Sequence, residues 1–307
     1  MRLKQAGFRE ANMSLADNES AQIPIVETIE HARARIHQWK MAGESIAFVP
    51  TMGNFHQGHL ALVKAANASG MRTVVSIFVN PMQFGKNEDL DTYPRSFDDD
   101  IASLSDCQVD MVFAPAVSEI YPHGVDGATA VHVRGLSDIL EGESRPGFFI
   151  GVATVVNMLF NIIQPDAAWF GEKDYQQLLV IRKMVRDLAL PIEIHSVPTV
   201  REGDGLAMSS RNSYLDADQR KLAINLYRCL QHVVDSANEG MDYHYAVVHA
   251  NQELTDAGFL TDYVVVRRQG DLEVPDKDDK SLIVLAAARL DGTRLIDNIP
   301  FELMQER

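Results

Sequence analysis

Two histidines three residues apart, His56 and His59, stand in the run IAFVPTMGNFHQGH beside Gly53 and Gly58. An apolar stretch precedes them and the helical pattern LALVKAANASG follows, which reads as strand, glycine-containing turn and helix. Imidazoles at that spacing, at a helix entrance, can point the same way and donate hydrogen bonds to phosphate oxygens. The helix start adds unpaired N–H groups and partial positive charge, which suit the same anion. A βα turn with packing or capping histidines would explain one such residue better than a glycine-spaced pair. Two further donor-rich stretches carry Lys173, in Gly171-Glu172-Lys173-Asp174, and Arg211, in Met208-Ser209-Ser210-Arg211. Together they suit phosphoryl or nucleotidyl transfer, in which donors must follow charge developing on phosphate oxygens. Gln83 and Gln177, helped by Asn80, offer neutral two-sided hydrogen bonding, suited to a small hydroxylated acid. Singly, Lys173 could equally be a surface ion pair with Glu172 or Asp174, and either glutamine a turn stabiliser.

Several chemistries lack their signatures. There is no G-x-x-x-x-G-K-[ST] and no G-x-G-x-x-G after a strand, so neither a Walker-type ATPase nor dinucleotide binding is signalled. G-x-S-x-G and H-E-x-x-H are also missing.

The elements that must position these residues alternate. Helix patterns are expected over residues 26–41, 60–70, 97–104, 152–163 and 175–188, and strands over 46–49, 73–79, 111–114, 167–170 and 192–197. The first of these strands should stop at Pro50. Continuous β-branched runs such as TVVSIFV mark strands buried on both faces. The class is therefore α/β, a doubly wound parallel sheet, with ligands beyond the carboxyl ends of the strands. The His-x-x-His, Asn-Pro-Met-Gln, Gly-Glu-Lys-Asp and TVREGDGLAMSSRN loops each follow such an end, so all four should meet on one sheet edge. The charged stretch KNEDLDTYPRSFDDD reads as solvated surface except around Tyr93 and Arg95. After residue 198 the pattern changes to a smaller α+β module with few candidate catalytic groups. Its helices are expected over 217–238, behind an Asp216–Gln219 capping box, and over 245–257. Its strands are expected over 262–267, 281–288 and 293–298, the last two joined at Asp291-Gly292.

At 307 residues, 46% hydrophobic and 23% charged, the chain has the size of two soluble domains. A net charge of −15 argues against nucleic acid or an anionic membrane as a partner. No apolar run reaches membrane-spanning length, and residues 1–22 read as a flexible polar extension without a signal peptide's apolar centre. Cys107 and Cys229, both in helix-like stretches, lack metal-ligand spacing and fit buried thiols of a reducing, cytoplasmic compartment.

With VPTMGNFHQGH, FVNPMQFGKNEDLDTYPR, LEGESRPGFFIGVATVV, LFNIIQPDAAWFGEKDYQQL and VREGDGLAMSSRN in view, the chain resembles the pantoate–β-alanine ligase family of the HxGH nucleotidyltransferase superfamily. The likeness runs from about Ile25 to Ile299. It implies a Rossmann-like domain over 23–198, a C-terminal α+β lid over 199–307, and a homodimer. It also implies ATP-dependent ligation of pantoate and β-alanine through pantoyl adenylate, releasing AMP and pyrophosphate. By position, Met52, Gly53, Asn54, Phe55, His56, Gln57, Gly58 and His59 would line the ATP site, with His59 the proton donor and His56 on the phosphates. Gly171 to Asp174 would meet the nucleotide, Lys173 on the phosphates and Asp174 on the ribose, with Val200 on adenine. Met208, Ser209, Ser210 and Arg211 would be the mobile loop closing over the triphosphate, and Gln83 and Gln177 would hold pantoate. Mg²⁺ is expected on the ATP phosphates, with no metal ligand from the protein. Phe148 stands where the family usually has His, Ile150 where a basic residue is often found, Gln57 where Glu or Asp is usual and Phe55 where Leu is common. Two other readings are another HxGH nucleotidyltransferase and a non-catalytic nucleotide-binding regulator. Gln83 with Gln177 speaks against the first, and the intact histidines, Lys173 and Arg211 against the second.

Overall fold

Buried β-branched runs separated by amphipathic stretches fold here into a sheet layered between helices. The computed structural model describes residues 23–86 and 88–303; the extension expected over 1–22 lies outside them. The elements of the first part are β1 (Ile25–Val26), α1 (Ile29–Met41), β2 (Ile46–Thr51), α2 (Gln57–Asn67), β3 (Arg72–Ile77), α3 (Phe97–Ser105), β4 (Met111–Phe113), α4 (Val117–Ile120), α5 (Glu141–Ser144), α6 (Phe148–Ile163), β5 (Ala167–Gly171), α7 (Tyr175–Asp187) and β6 (Glu193–Val197). Then come α8 (Ala217–Ala223), α9 (Asn225–Asn238), α10 (Tyr243–Asp256), β7 (Phe259–Arg268), β8 (Ser281–Leu290) and β9 (Thr293–Glu302).

The first six strands form one parallel sheet in the order β1-β4-β3-β2-β5-β6. From β2 the chain steps one way to β3 and β4, then returns to place β5 on the other side of β2. That reversal makes the β2/β5 boundary a topological switch point, where the following loops part and leave a crevice. Alternate strand residues serve opposite faces. Phe48 and Val74 pack with α1, α6 and α7, while Val49 and Val75 pack with α2 and α3. The later strands form an antiparallel sheet, β7-β8-β9, covered on one face by α9 and α10. Its other face meets the first part through Leu140 and Leu179 against Ile283 and Leu285.

Several boundaries differ from the sequence reading. β2 continues through Pro50 to Thr51, because β5 registers only with Ala47 and Phe48 and the missing N–H falls beyond that ladder. α1 starts at Ile29 rather than residue 26, since Thr28 caps it and Val26 pairs with Phe113. α6 starts at Phe148, where Gly147 takes a left-handed φ of 87°. The helix expected over 217–238 divides at Ile224, whose ψ of −23° is shallower than α-helical. Cys107 lies just past α3 rather than in a helix, though both thiols are buried. The stretch read as solvated surface supplies the cavity wall residues Glu88 and Asp89 and the buried Asp100, whereas Arg95 is exposed.

Candidate active site

At the end of β2 the two histidines cap α2 reciprocally. His56 is the N-cap residue, and its Nδ1 accepts the Gly58 N–H at 3.1 Å, while the His56 N–H donates to Nδ1 of His59 at 3.4 Å. With both Nδ1 atoms accepting, each neutral ring carries its proton on Nε2, which remains free to donate. The rings lie tilted by 35° with centroids 4.1 Å apart, and both line one cavity. Burial, then Lys173, holds His56 down to about 4. Burial, His56 and Lys173 hold His59 down to about 3. Both are therefore uncharged at neutral pH. Gly58 is needed because a Cβ there would lie 2.8 Å from Cε1 of His56.

The turn before them hangs on a carboxylate. Asp100, 2% exposed in the first turn of α3, accepts the N–H of Asn54 at 2.8 Å and of Phe55 at 2.7 Å. Asn54 holds a left-handed φ of 54°. Gly53, at φ 83°, leaves no room for a Cβ, which would stand 2.8 Å from Asp100 Oδ2. Asp100 shares a helical stripe with Ile101 and Leu104, the sequence signal that could have distinguished it from its exposed neighbours.

The loops after β2, β3, β5 and β6 meet around a cavity of about 750 Å³, within the range of small-molecule sites. Met52, His56, Gly58, His59, Asn80, Gln83, Gly171, Lys173, Asp174, Gln177, Val200, Met208, Ser209, Ser210 and Arg211 all line it. Gly53, Asn54, Phe55, Gln57 and Glu172 stand behind the wall. Gln57 is exposed, and the Glu172 carboxylate accepts from Ser196 at 2.7 Å. Asn80 is saturated. Its Nδ2 donates to Gln83 Oε1 and Gly151 O, and its Oδ1 accepts from Tyr121 and the Met82 N–H. It orients Gln83 and has no bond left for a ligand. Among the described residues the Lys173 ammonium makes a single long pairing, at 3.7 Å, with Asp174.

The arginines differ. Arg211 makes a two-pronged pair with Asp89 (2.9 and 3.0 Å), and Arg145 another with Glu88 (2.5 and 2.7 Å) while lying 3.8 Å from the Phe148 ring centroid. Glu141 joins Arg145 to Arg294 of β9. The module expected to bring few candidate groups thus brings Arg289, Arg294, Asp297 and Asn298 to the cavity. The side-chain partners of Arg294, Asp297 and Asn298 lie far away in sequence, so spacing gave no sign of them. Five cationic side chains (Arg145, Lys173, Arg211, Arg289, Arg294) and five carboxylates (Glu88, Asp89, Glu141, Asp174, Asp297) line the space. A chain of net charge −15 has thereby gathered a locally balanced site.

The pantoate-β-alanine ligase family model matches residues 24–300. A pantothenate synthetase of Shewanella loihica is 52% identical over 276 residues, 90% of this chain and 98% of that protein. One from Nitrosococcus oceani is 49% identical over 280 residues, 91% and 98% of the two chains. Among solved structures, a pantothenate synthetase of Thermus thermophilus superposes with a TM-score of 0.85 at 45% identity, covering 90% of this chain and 99% of that one. The pantoate-β-alanine ligase of Francisella tularensis, complexed with β,γ ATP and β-alanine, gives 0.76 at 32% identity, covering 90% and 97%.

Proposed function

The chain belongs to the pantoate–β-alanine ligase family, and from this premise we propose that it joins pantoate to β-alanine at the expense of ATP. A pantoate carboxylate oxygen attacks the α-phosphorus, and the bond to pyrophosphate breaks. The β-alanine amine, having lost a proton, then attacks the acyl carbon of pantoyl adenylate and AMP departs. The observation that carries this reading is the meeting, at the β2/β5 switch point, of two neutral imidazole donors and Lys173 with the amides of Gln83 and Gln177.

In this reading the Nε2–H groups of His56 and His59, with Lys173, follow charge on the phosphate oxygens. Neutral rings suit that task, because they donate without first demanding a proton from solvent. Ser209, Ser210 and Arg211 close over the triphosphate, with Met208 at the hinge of the same loop. Asp174 takes the ribose and Val200 the adenine. Gln83, oriented by Asn80, and Gln177 hold pantoate. The unit over 199–307 acts as a lid that keeps water from the acyl adenylate. Mg²⁺ arrives with ATP as part of that substrate. The two buried free thiols fit a cytoplasmic enzyme. Exposed Ile25, on the edge strand β1, and Val117 offer apolar area for a homodimer contact.

The test is AMP formation by the purified protein with ATP, Mg²⁺ and pantoate, with and without β-alanine. Sustained release only with both acid and amine is expected. ATP binding without turnover would refute the ligase reading.

A further inference from the structure

Among the residues the C-terminal sheet brings to the cavity, Asp297 and Asn298 of β9 are each 3% exposed. Nδ2 of Asn298 donates at 2.9 Å to the carbonyls of both Glu172 and Lys173, in the 3-10 turn that sets Lys173 on the cavity wall. The Asn298 N–H donates to Asp297 Oδ1 at 2.7 Å. The Asp297 carboxylate receives both prongs of Arg201, at 2.7 and 2.9 Å. That guanidinium also donates to the Gly205 and Asn298 carbonyls and lies 4.0 Å from the Tyr227 ring centroid. Arg201 pairs across a turn with Ala207, immediately before Met208, and the Met208 N–H donates to Val200 O. One bracket thus grips the backbone of Lys173 and the root of the loop carrying Arg211. A buried ion pair is a poor device for stability alone, because desolvation offsets much of its attraction. Here it holds an amide in the one place where it satisfies two carbonyls beside a phosphate-facing lysine.

We propose that Asp297 and Asn298 are positioning residues for the adenylation step, fixing Lys173 against the phosphates and tying its placement to the Met208–Arg211 loop. The inference rests on the ligase reading above.

Asn298→Ala is compared with the unaltered protein in two assays. Pantoate-dependent exchange of pyrophosphate into ATP reports adenylation; single-turnover capture of enzyme-bound pantoyl adenylate by β-alanine reports the second step. Misplacing a phosphate-binding group by an ångström costs on the order of a hundredfold, so exchange should fall about 10–100-fold while capture changes less than about threefold. In a Lys173→Ala background the same substitution should add less than about twofold, because its effect runs through Lys173. Equal losses in both steps, or full additivity with Lys173→Ala, would overturn the proposal. Asn298→Asp keeps the size and replaces the donor with an acceptor. Should the alanine variant not fold, unchanged exchange in the aspartate variant would overturn it equally. If the unaltered protein shows no pantoate-dependent exchange, the ligase reading itself fails and this inference falls with it.

Discussion

The two ends of the cavity hold their hydrogen-bond donors in opposite ways. At the β2/β5 end the donors are uncharged or loosely paired: two imidazoles held neutral by burial, and Lys173 with its nearest carboxylate oxygen 3.7 Å away. At the other end Arg145 and Arg211 already sit in two-pronged pairs with Glu88 and Asp89, consecutive residues of one loop. The first arrangement keeps donors free for an incoming group. The second keeps its cations in place in an acidic chain, already paired with carboxylates. One end thus holds preorganised donors and the other holds cations already neutralised by a partner.

The largest effect should fall at the free-donor end. His59→Ala is expected to lower AMP formation about a thousandfold, at the upper end for loss of a single preorganised donor. A loss below about tenfold in steady-state assays would erase the distinction between the two ends. Next comes the carboxylate serving two arginines. Glu141→Gln leaves both Arg145 and Arg294 short of their shared partner and should destabilise the fold by about 3 kcal/mol. Denaturant unfolding would show this as a lower midpoint; an unchanged midpoint would mean the network is not held by charge.

A third effect depends on pH. Both histidines have folded pKa values, about 4 and about 3, below the ordinary 6.5. Between those limits the unfolded chain binds more protons, so their contribution to stability is complete above pH 6.5 and is lost on acidification. The slope is up to about 1.4 kcal/mol per pH unit for each ring. Thermal melts of His56→Asn should be less steep in pH over that window than those of the unaltered protein. Parallel curves would show that His56 does not carry this pH dependence. The smallest change expected is at the paired end. Asp89→Asn weakens the hold on Arg211 and should tighten ATP binding about threefold at low ionic strength. Calorimetry showing weaker binding instead would mean that Asp89 does more than hold the arginine.

Much of this site can be read along the chain because its parts are local. Strand, glycine turn and histidine-capped helix lie within Ile46 to Asn67, and their bonds span two or three residues. Parallel strands then force the following loops onto one edge, so the meeting of His56, Gln83, Lys173 and Val200 follows from element order alone. Asp100 was half-legible, its helical phase visible but its carboxylate's duty to Asn54 and Phe55 hidden 46 and 45 residues away. Asn80 shows the limit of reading residue types. Its amide looks like a ligand contact, and packing against Tyr121 and Gly151 turns it into a scaffold for Gln83.

By itself, then, the sequence determined the alternation that makes a parallel sheet, the loops at its carboxyl edge, and the residue types that suit phosphate and a small acid. Only the tertiary structure decided which of those groups stay free. Burial keeps the histidines neutral, Glu88 and Asp89 occupy two arginines, and Asn298 reaches from β9 to carbonyls 125 and 126 residues earlier. The reason is physical. Periodicity and capping act within a few residues, whereas desolvation and charge pairing depend on neighbours that chain folding brings together from anywhere in the sequence.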